Sequence, residues 1–228
     1  MKYHFRFLLY LVMVICVSSA KAGAYEDFFI AINRDDDWGV AKLLERGFDP
    51  NSRDPKGQTG LILALRDDSP RVAEALWKSK ALDVNVENAS GETALMMAAL
   101  RGRVAWMQRL LDRGAQVHKN GWSPIHYAAT GPEVKAVALL LERGAPVEAQ
   151  SPDKDTPLMM AARYGAEASV DLLLARGASA SVTNGRNLDA VDLARIDPQP
   201  QRRRLVVRGQ YRFKLCRPIA RERGDEPV

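Results

Sequence analysis

A short pattern recurs along this chain at a nearly fixed spacing, and no other feature limits its fold as strongly. Aligning the units on the aliphatic residue near the start of each gives Leu61, Leu95, Ile125, Leu158 and Leu188. The differences between successive positions in this series are nearly equal. A fixed period of about 20–50 residues is the signature of repeat architectures. The spacing therefore predicts an array of small units that share their cores.

Each middle unit contains two apolar bursts, an alanine pair and then a leucine pair. The offset between the pairs is the same in all three units, from Ala99 to Leu110, Ala129 to Leu140 and Ala162 to Leu173. Insertions fall only between units, so the unit itself is a fixed structure. The apolar spacing is that of two short helices. Each pair is too small to bury its apolar face alone, so we expect the units to bury it by stacking.

Residues that begin and end helices stand at matching places in these units. Helix starts are marked by hydroxyl side chains that can cap an N-terminus and by proline in the first turn, namely Thr59, Thr93, Ser123, Thr156, Pro124 and Pro157. Second helices are expected to end at glycines in the left-handed conformation, namely Gly47, Gly114, Gly144 and Gly177. The connectors after Gly114 and Gly177 are shorter than the others, which predicts trimmed hairpin tips.

The units resemble the ankyrin repeat, whose pattern runs approximately G-x-T-P-L-H-x-A-A and later L-L-x-x-G-A-D-V-N. The copies most similar to it are SPIHYAA from Ser123 and TPLMMAA from Thr156, and the resemblance covers Ala24 to Arg195. It implies an all-α ankyrin-repeat solenoid of about six helix-pair units with protruding hairpin loops. The repeat domain is placed at residues 24–196, with units at about 24–56, 57–90, 91–120, 121–153, 154–184 and 185–208, the first and last serving as caps.

Residues 1–22 read as a secretory signal. Basic residues precede an apolar run from Phe7 to Val17, and small residues spaced for cleavage follow at Ala20, Ala22 and Ala24. The run is short for a bilayer span, so cleavage after position 20, 22 or 24 is expected, with an uncleaved anchor as the alternative. The compact signal predicts a periplasmic or secreted protein.

Residues 209–228 form a basic C-terminal tail whose role is open. From residue 197 onward the chain has nine basic and four acidic residues, whereas residues 22–196 have 21 basic and 24 acidic ones. The high isoelectric point therefore gives no support for nucleic-acid binding by the repeat body. The tail could be solvated and disordered, pack on the last repeat, or make weak contact with an anionic surface such as lipid headgroups. Cys216 has no partner cysteine beyond the signal.

The residues of this chain predict no catalytic, metal or cofactor site. Outside the signal the histidines are His118 and His126, and no Cys/His spacing matches zinc. There is no P-loop and no G-x-S-x-G motif. His126 stands at the histidine of the repeat pattern, where the resemblance implies that it braces neighbouring loops. We therefore expect a non-enzymatic protein, and we interpret the acidic runs after Arg34 and Arg66 as turns between helices.

The resemblance also implies a partner-binding concave face, formed by first helices and hairpin tips. Carried over by position, the helices contribute Met97, Leu100, Arg101, Tyr127, Thr130, Met160, Arg163 and Tyr164, and the tips contribute Arg53, Lys56, Asn88, Lys119, Trp122, Ser151 and Lys154. Trp122 fills a variable position and, with Tyr127 and Tyr164, is predicted to anchor a partner; it could instead fold over the shortened tip. Met97 and Met160 could be core residues, while Trp77 and Trp106 are expected in the core and Trp38 is ambiguous.

Three functional hypotheses follow for this chain. The first is a periplasmic protein-protein interaction module that binds a protein partner of unknown identity, as an accessory factor to an exported enzyme. The second is a toxin-neutralising or inhibitor protein, because a rigid array can occlude an active site. The third is a membrane-surface adaptor that acts through the basic tail, with no integral span once the signal is removed.

Overall fold

The computed structural model describes residues 23–164 and 166–196, so the signal segment 1–22 and the tail 209–228 lie outside the described residues. Helices in this part are α1 at 23–33, α2 Asp37–Glu45, α3 Gly60–Asp67, α4 Pro70–Trp77, α5 Ala94–Leu100, α6 Val104–Asp112, α7 Pro124–Thr130, α8 Val134–Glu142, α9 Pro157–Tyr164, α10 Glu167–Ala175 and α11 Ala190–Ile196. The described residues form no strand, only one isolated bridge between Arg53 and Thr59. The all-α fold is the predicted one.

The described residues divide into two compact parts, each larger than one repeat, which are named the first unit (23–97) and the second unit (98–196). The division lies inside α5. In the first unit α4 packs against α2 and α3. Phe28, which takes the leucine position of the degenerate first repeat, is fully buried. Its ring contacts Phe48 at a centroid distance of 4.5 Å and Phe29 at 5.2 Å. Large aromatic side chains thus fill the core where the repeat pattern is weakest.

In the second unit successive helices pack in two rows. The first helices α7, α9 and α11 form one row, and the second helices α6, α8 and α10 form the other. The predicted alanine pairs are buried in this packing: Ala128, Ala129 and Ala161 have no exposed surface. Small side chains let backbones approach closely, so the expected stacking of helix pairs is confirmed within this unit.

The glycines predicted to end second helices do so. Gly47, Gly114, Gly144 and Gly177 have φ of 84°, 91°, 89° and 91°. Each follows an arginine that caps the helix and lies in the left-handed region that a side chain disfavours. These positions turn the chain away from the helix toward the next tip.

Two tryptophans expected in the core are only half-buried, which corrects that expectation. Trp77 is the last residue of α4, and Trp106 lies in the first turn of α6. The guanidinium of Arg109 covers the Trp106 ring at 4.1 Å. The ambiguous Trp38 is 68% exposed, with the Lys42 ammonium 4.5 Å from its ring centroid. These indoles cover helix edges, since an amphipathic ring suits a partly solvated position.

Candidate functional site

A buried histidine holds the start of α7 to the loop before α9. The Ser123 backbone N–H donates to His126 Nδ1 at 3.1 Å, so Nε2 carries the proton and donates to the carbonyl oxygens of Ala149 at 3.0 Å and Asp155 at 3.2 Å. His126 has no exposed surface. Burial lowers the pKa of its imidazole below the usual 6.5. The predicted bracing role of this residue is confirmed.

Above this histidine, the second unit has an open groove of about 320 Å³. It lies between α7 and α9, beside the last residue of α5. Seven side chains line it: Leu100, Trp122, His126, Tyr127, Thr130, Met160 and Tyr164. Six of them were named from the sequence as helix or tip contributions to a partner-binding face, and His126 was named only as a brace.

Aromatic rings form the walls of the groove. Trp122 is half-buried, and its ring meets His126 edge-on at a centroid distance of 5.5 Å and Tyr127 at 6.4 Å. Tyr164 at the end of α9 is 45% exposed, and the guanidinium of Arg163 lies 5.7 Å from its ring centroid. Trp122 therefore leans on the histidine brace and still presents part of its ring. The sequence left two alternatives for Trp122, an exposed anchor for a partner or a side chain folded over the shortened tip. Its half-buried position lies between the two.

The groove offers a largely apolar surface, and the polar atoms of His126 and Thr130 in its lining bond within the protein. Both ring nitrogens of His126 have backbone partners, and the fully buried ring lies beneath the groove. The Thr130 hydroxyl donates to the Tyr127 carbonyl oxygen at 2.8 Å, within α7. Met160 is 7% exposed and contributes to the lining. Such a surface can take up an apolar side chain but presents no arrangement for bond chemistry.

The helices that build the groove carry positive charge and no carboxylate. α7 has no charged residue, and the one charged residue of α9 is Arg163. Arg101 follows directly after Leu100 and is exposed, and Arg103 lies two positions later. The groove is therefore apolar at its centre with arginines beside it.

The other predicted site residues lie outside the groove. Met97 belongs to the first unit and is 2% exposed, so its side chain is core and offers almost no surface. Lys119 and Lys154 lie on the tips at either side of α7 and do not line the groove. Asn88 and Ser151 are buried, and their side-chain oxygens accept backbone N–H groups inside their own turns. They shape tips and present little surface.

His126 is the lining residue that sequence reasoning missed. The available signal was its place directly before Tyr127 and one helical turn after Ser123, which puts the ring under the same helix start as Trp122. The repeat motif predicts hydrogen bonds from the ring nitrogens of His126 and makes no prediction for the face of its ring.

The described residues contain neither a metal-binding cluster nor a membrane-spanning helix. Residues 23–164 and 166–196 hold no group of three or more His, Cys, Asp or Glu side chains placed to bind a metal ion. No helix in that part of the chain has the length and apolar character needed to cross a bilayer. The acidic runs lie only partly in the predicted turns: Asp35, Asp36 and Asp68 lie between paired helices, whereas Asp37 begins α2 and Asp67 ends α3.

Comparison of the sequence with known proteins finds ankyrin repeats. A family model described as ankyrin repeats (three copies) matches residues 28–120 and 106–184. The chain is 33% identical over 163 residues to the B-cell lymphoma 3 protein homolog of Mus musculus, covering 68% of this chain and 36% of that protein. It is 32% identical over 123 residues to the human neurogenic locus notch homolog protein 1, covering 53% of this chain and 5% of the relative.

A third relative is the human SH3 and multiple ankyrin repeat domains protein 2, 29% identical over 184 residues, covering 64% of this chain and 10% of that protein. The chain thus spans little more than a third, or far less, of the length of these three relatives. Ankyrin repeats generally mediate protein–protein interaction, and the family is typically non-enzymatic. Matches over residues 28–184 show that this chain belongs to the ankyrin-repeat family.

Proposed function

We propose that this chain is a non-enzymatic module that binds a partner protein through the aromatic groove of its second unit. The observation that carries the proposal is the convergence of Trp122, Tyr127 and Tyr164 on one apolar groove. Tryptophan, tyrosine and arginine dominate the residues whose truncation costs most at interfaces. Trp122 precedes α7, Tyr127 lies within α7 and Tyr164 ends α9. The His126 brace holds the start of α7 to the loop before α9, so little ordering is needed on association.

The setting proposed for this binding is outside the cytoplasm, in the periplasm or secreted. The support is the basic start and the apolar run from Phe7 to Val17, followed by small residues. In that setting the chain acts as an accessory factor to an exported enzyme. Fusion of residues 1–24 to alkaline phosphatase tests the setting, because that enzyme is active only after export; an inactive fusion would overturn it.

Partner capture tests the groove directly. The immobilised full chain is exposed to extract from the source cells, and captured proteins are compared between wild type and the double variant Trp122→Ala, Tyr164→Ala. A matched control is Trp38→Ala, Ile30→Ala, since these two residues are exposed by 68% and 46% and belong to the first unit. We expect the groove variant to lose a partner that the control variant retains. A partner retained by both variants would place the contact elsewhere.

A further inference from the structure

We infer that the groove takes one large apolar side chain from an acidic segment of the partner. This inference rests on the proposed function and adds to it the chemistry of the bound segment. It is drawn from two features of the second unit: the size and apolar lining of the groove, and the sign of the charges next to it.

The size of the groove favours a single side chain. Its volume of about 320 Å³ lies at the lower end of the range of about 300–1,000 Å³ typical of small-molecule sites. The hydrogen-bonding atoms of His126 and the Thr130 hydroxyl proton already have protein partners. An aromatic or branched aliphatic side chain placed there would meet Trp122 and Tyr164 with favourable ring contacts.

The charges beside the groove select the flanks of that segment. Arg101 and Arg163 directly adjoin the lining residues Leu100 and Tyr164 in the chain. The helix residues 98–103, 122–131 and 157–164 contain three arginines and no acidic residue. Two carboxylates follow these ranges: Glu133 lies against Gly102 and accepts the Lys135 N–H at the start of α8, and Glu167 lies in the first turn of α10. Carboxylates a few positions from the anchor side chain would therefore meet mainly cations beside the groove, which raises both the association rate and the specificity.

Acidic residues on the neighbouring tips do not cancel this charge pattern, because most are engaged inside the fold. Asp155 is 4% exposed and its Oδ1 accepts from the Asn184 amide at 2.7 Å. Asp189 is 6% exposed and caps α11 by accepting the backbone N–H groups of Val191 and Asp192 at 2.9 Å. Glu148 accepts from the Ser179 N–H. The exposed carboxylate on these tips is Asp153, beside Lys154.

Charge also argues against self-occupation by the C-terminal tail. Residues 197–228 hold nine basic and four acidic residues, so they match the sign of the groove arginines. A like-charged segment would lose electrostatic energy on docking. The occupant is therefore placed on a separate protein.

An unbiased peptide selection tests the inference. Random dodecapeptides displayed on phage are selected on the immobilised full chain, after removal of phage that bind the Trp122→Ala, Tyr164→Ala variant. We expect enriched sequences to share one Phe, Trp, Leu or Ile flanked on both sides by Asp or Glu. Enrichment of neutral or basic sequences would overturn the acidic flanks, and the absence of any enrichment would overturn the proposed segment altogether.

An enriched peptide is then measured as a fluorescein conjugate by anisotropy. We expect Arg101→Gln, Arg163→Gln to weaken binding about fivefold at 50 mM salt, and 300 mM salt to weaken wild-type binding by a similar factor. The control Arg46→Gln, Arg176→Gln changes two exposed arginines at the ends of second helices and should leave affinity unchanged. Equal affinity of all variants would exclude the arginines as the source of selection. If the Trp122→Ala, Tyr164→Ala variant fails to capture a partner that the wild type captures, and yet no peptide is enriched, the proposed function stands and only this inference is rejected.

Discussion

The Nε2–H of His126 donates to the carbonyl oxygen of Asp155 at 3.2 Å, so a side chain of α7 holds the loop that leads into α9. Trp122 meets the same imidazole at a centroid distance of 5.5 Å. The groove wall and the inter-repeat connection therefore share one buried ring. Several consequences for stability and binding follow from that coupling.

Replacing this ring should destabilise the second unit. In His126→Ala the Ser123 N–H and the Ala149 and Asp155 carbonyls lose a buried partner, and the free energy of unfolding should fall by about 2–3 kcal/mol. Urea denaturation followed by circular dichroism measures it. The control His118→Ala alters an exposed histidine and should stay within about 0.5 kcal/mol of wild type. A loss of that small size in His126→Ala would mean that the brace contributes little.

The same histidine should make stability depend on pH. Burial lowers the pKa of His126 in the folded chain below the usual 6.5, so the unfolded chain binds more protons once the pH falls through that value. Its contribution is fully present above pH 6.5 and is lost as the pH falls below it, at a slope of at most about 1.4 kcal/mol per pH unit. Urea midpoints between pH 7.5 and 5.5 test this. His126→Gln should flatten the slope, and an unchanged slope would assign the effect to other groups.

Gly131 should tolerate no side chain although its φ of −77° is open to any residue. A Cβ there would lie 2.8 Å from the Leu100 carbonyl oxygen and 3.0 Å from that of Ala99, at the end of α5. Gly131→Ala must push α7 and α5 apart and should cost about 1–3 kcal/mol of unfolding free energy. Because Leu100 lines the groove, partner binding should weaken as well. A stable Gly131→Ala chain with full binding would show that this contact yields without cost.

Gly144→Ala makes a useful comparison for that variant. No atom lies within 4 Å of the added Cβ, and the penalty there comes only from the φ of 89°. Left-handed backbone costs a residue with a side chain about 1–2 kcal/mol. Stability should fall while groove binding stays intact, which separates loss of stability from displacement of α5.

The sequence predicts features set by local backbone geometry better than it predicts the burial of individual side chains. The left-handed glycines follow from a backbone demand that four of the units share, and the role of His126 follows from its place in the repeat pattern; both were predicted. Burial of individual side chains depends instead on neighbours that the pattern does not specify. Trp77 and Trp106 have the spacing of core residues, yet each lies at the edge of a helix and is half-buried.

Met97 and Met160 illustrate the same limit within one motif position. Both follow the sequence Leu-Met, and both were assigned to the binding face or the core with equal weight. The structure buries both, at 2% and 7% exposure, but only Met160 lines the groove. What distinguishes Met160 is the aromatic neighbour Tyr164 and the adjoining Tyr127, which arise from variable positions of the repeat.

Tyr164→Ala should weaken partner binding with little effect on stability, whereas Met97→Ala should lower stability with little effect on binding. Tyr164 is 45% exposed at the end of α9, so Tyr164→Ala should change the free energy of unfolding by less than about 1 kcal/mol. It removes a groove wall, however, and should weaken partner binding about tenfold. Met97→Ala deletes a side chain with 2% exposure and should cost about 2–5 kcal/mol. At a temperature where that variant remains folded, its groove binding should equal that of wild type. Measuring urea midpoints and partner affinity on the same preparations decides the matter: a Tyr164→Ala chain that binds fully, or a Met97→Ala chain that is folded but does not bind, would move the binding surface away from the groove between α7 and α9.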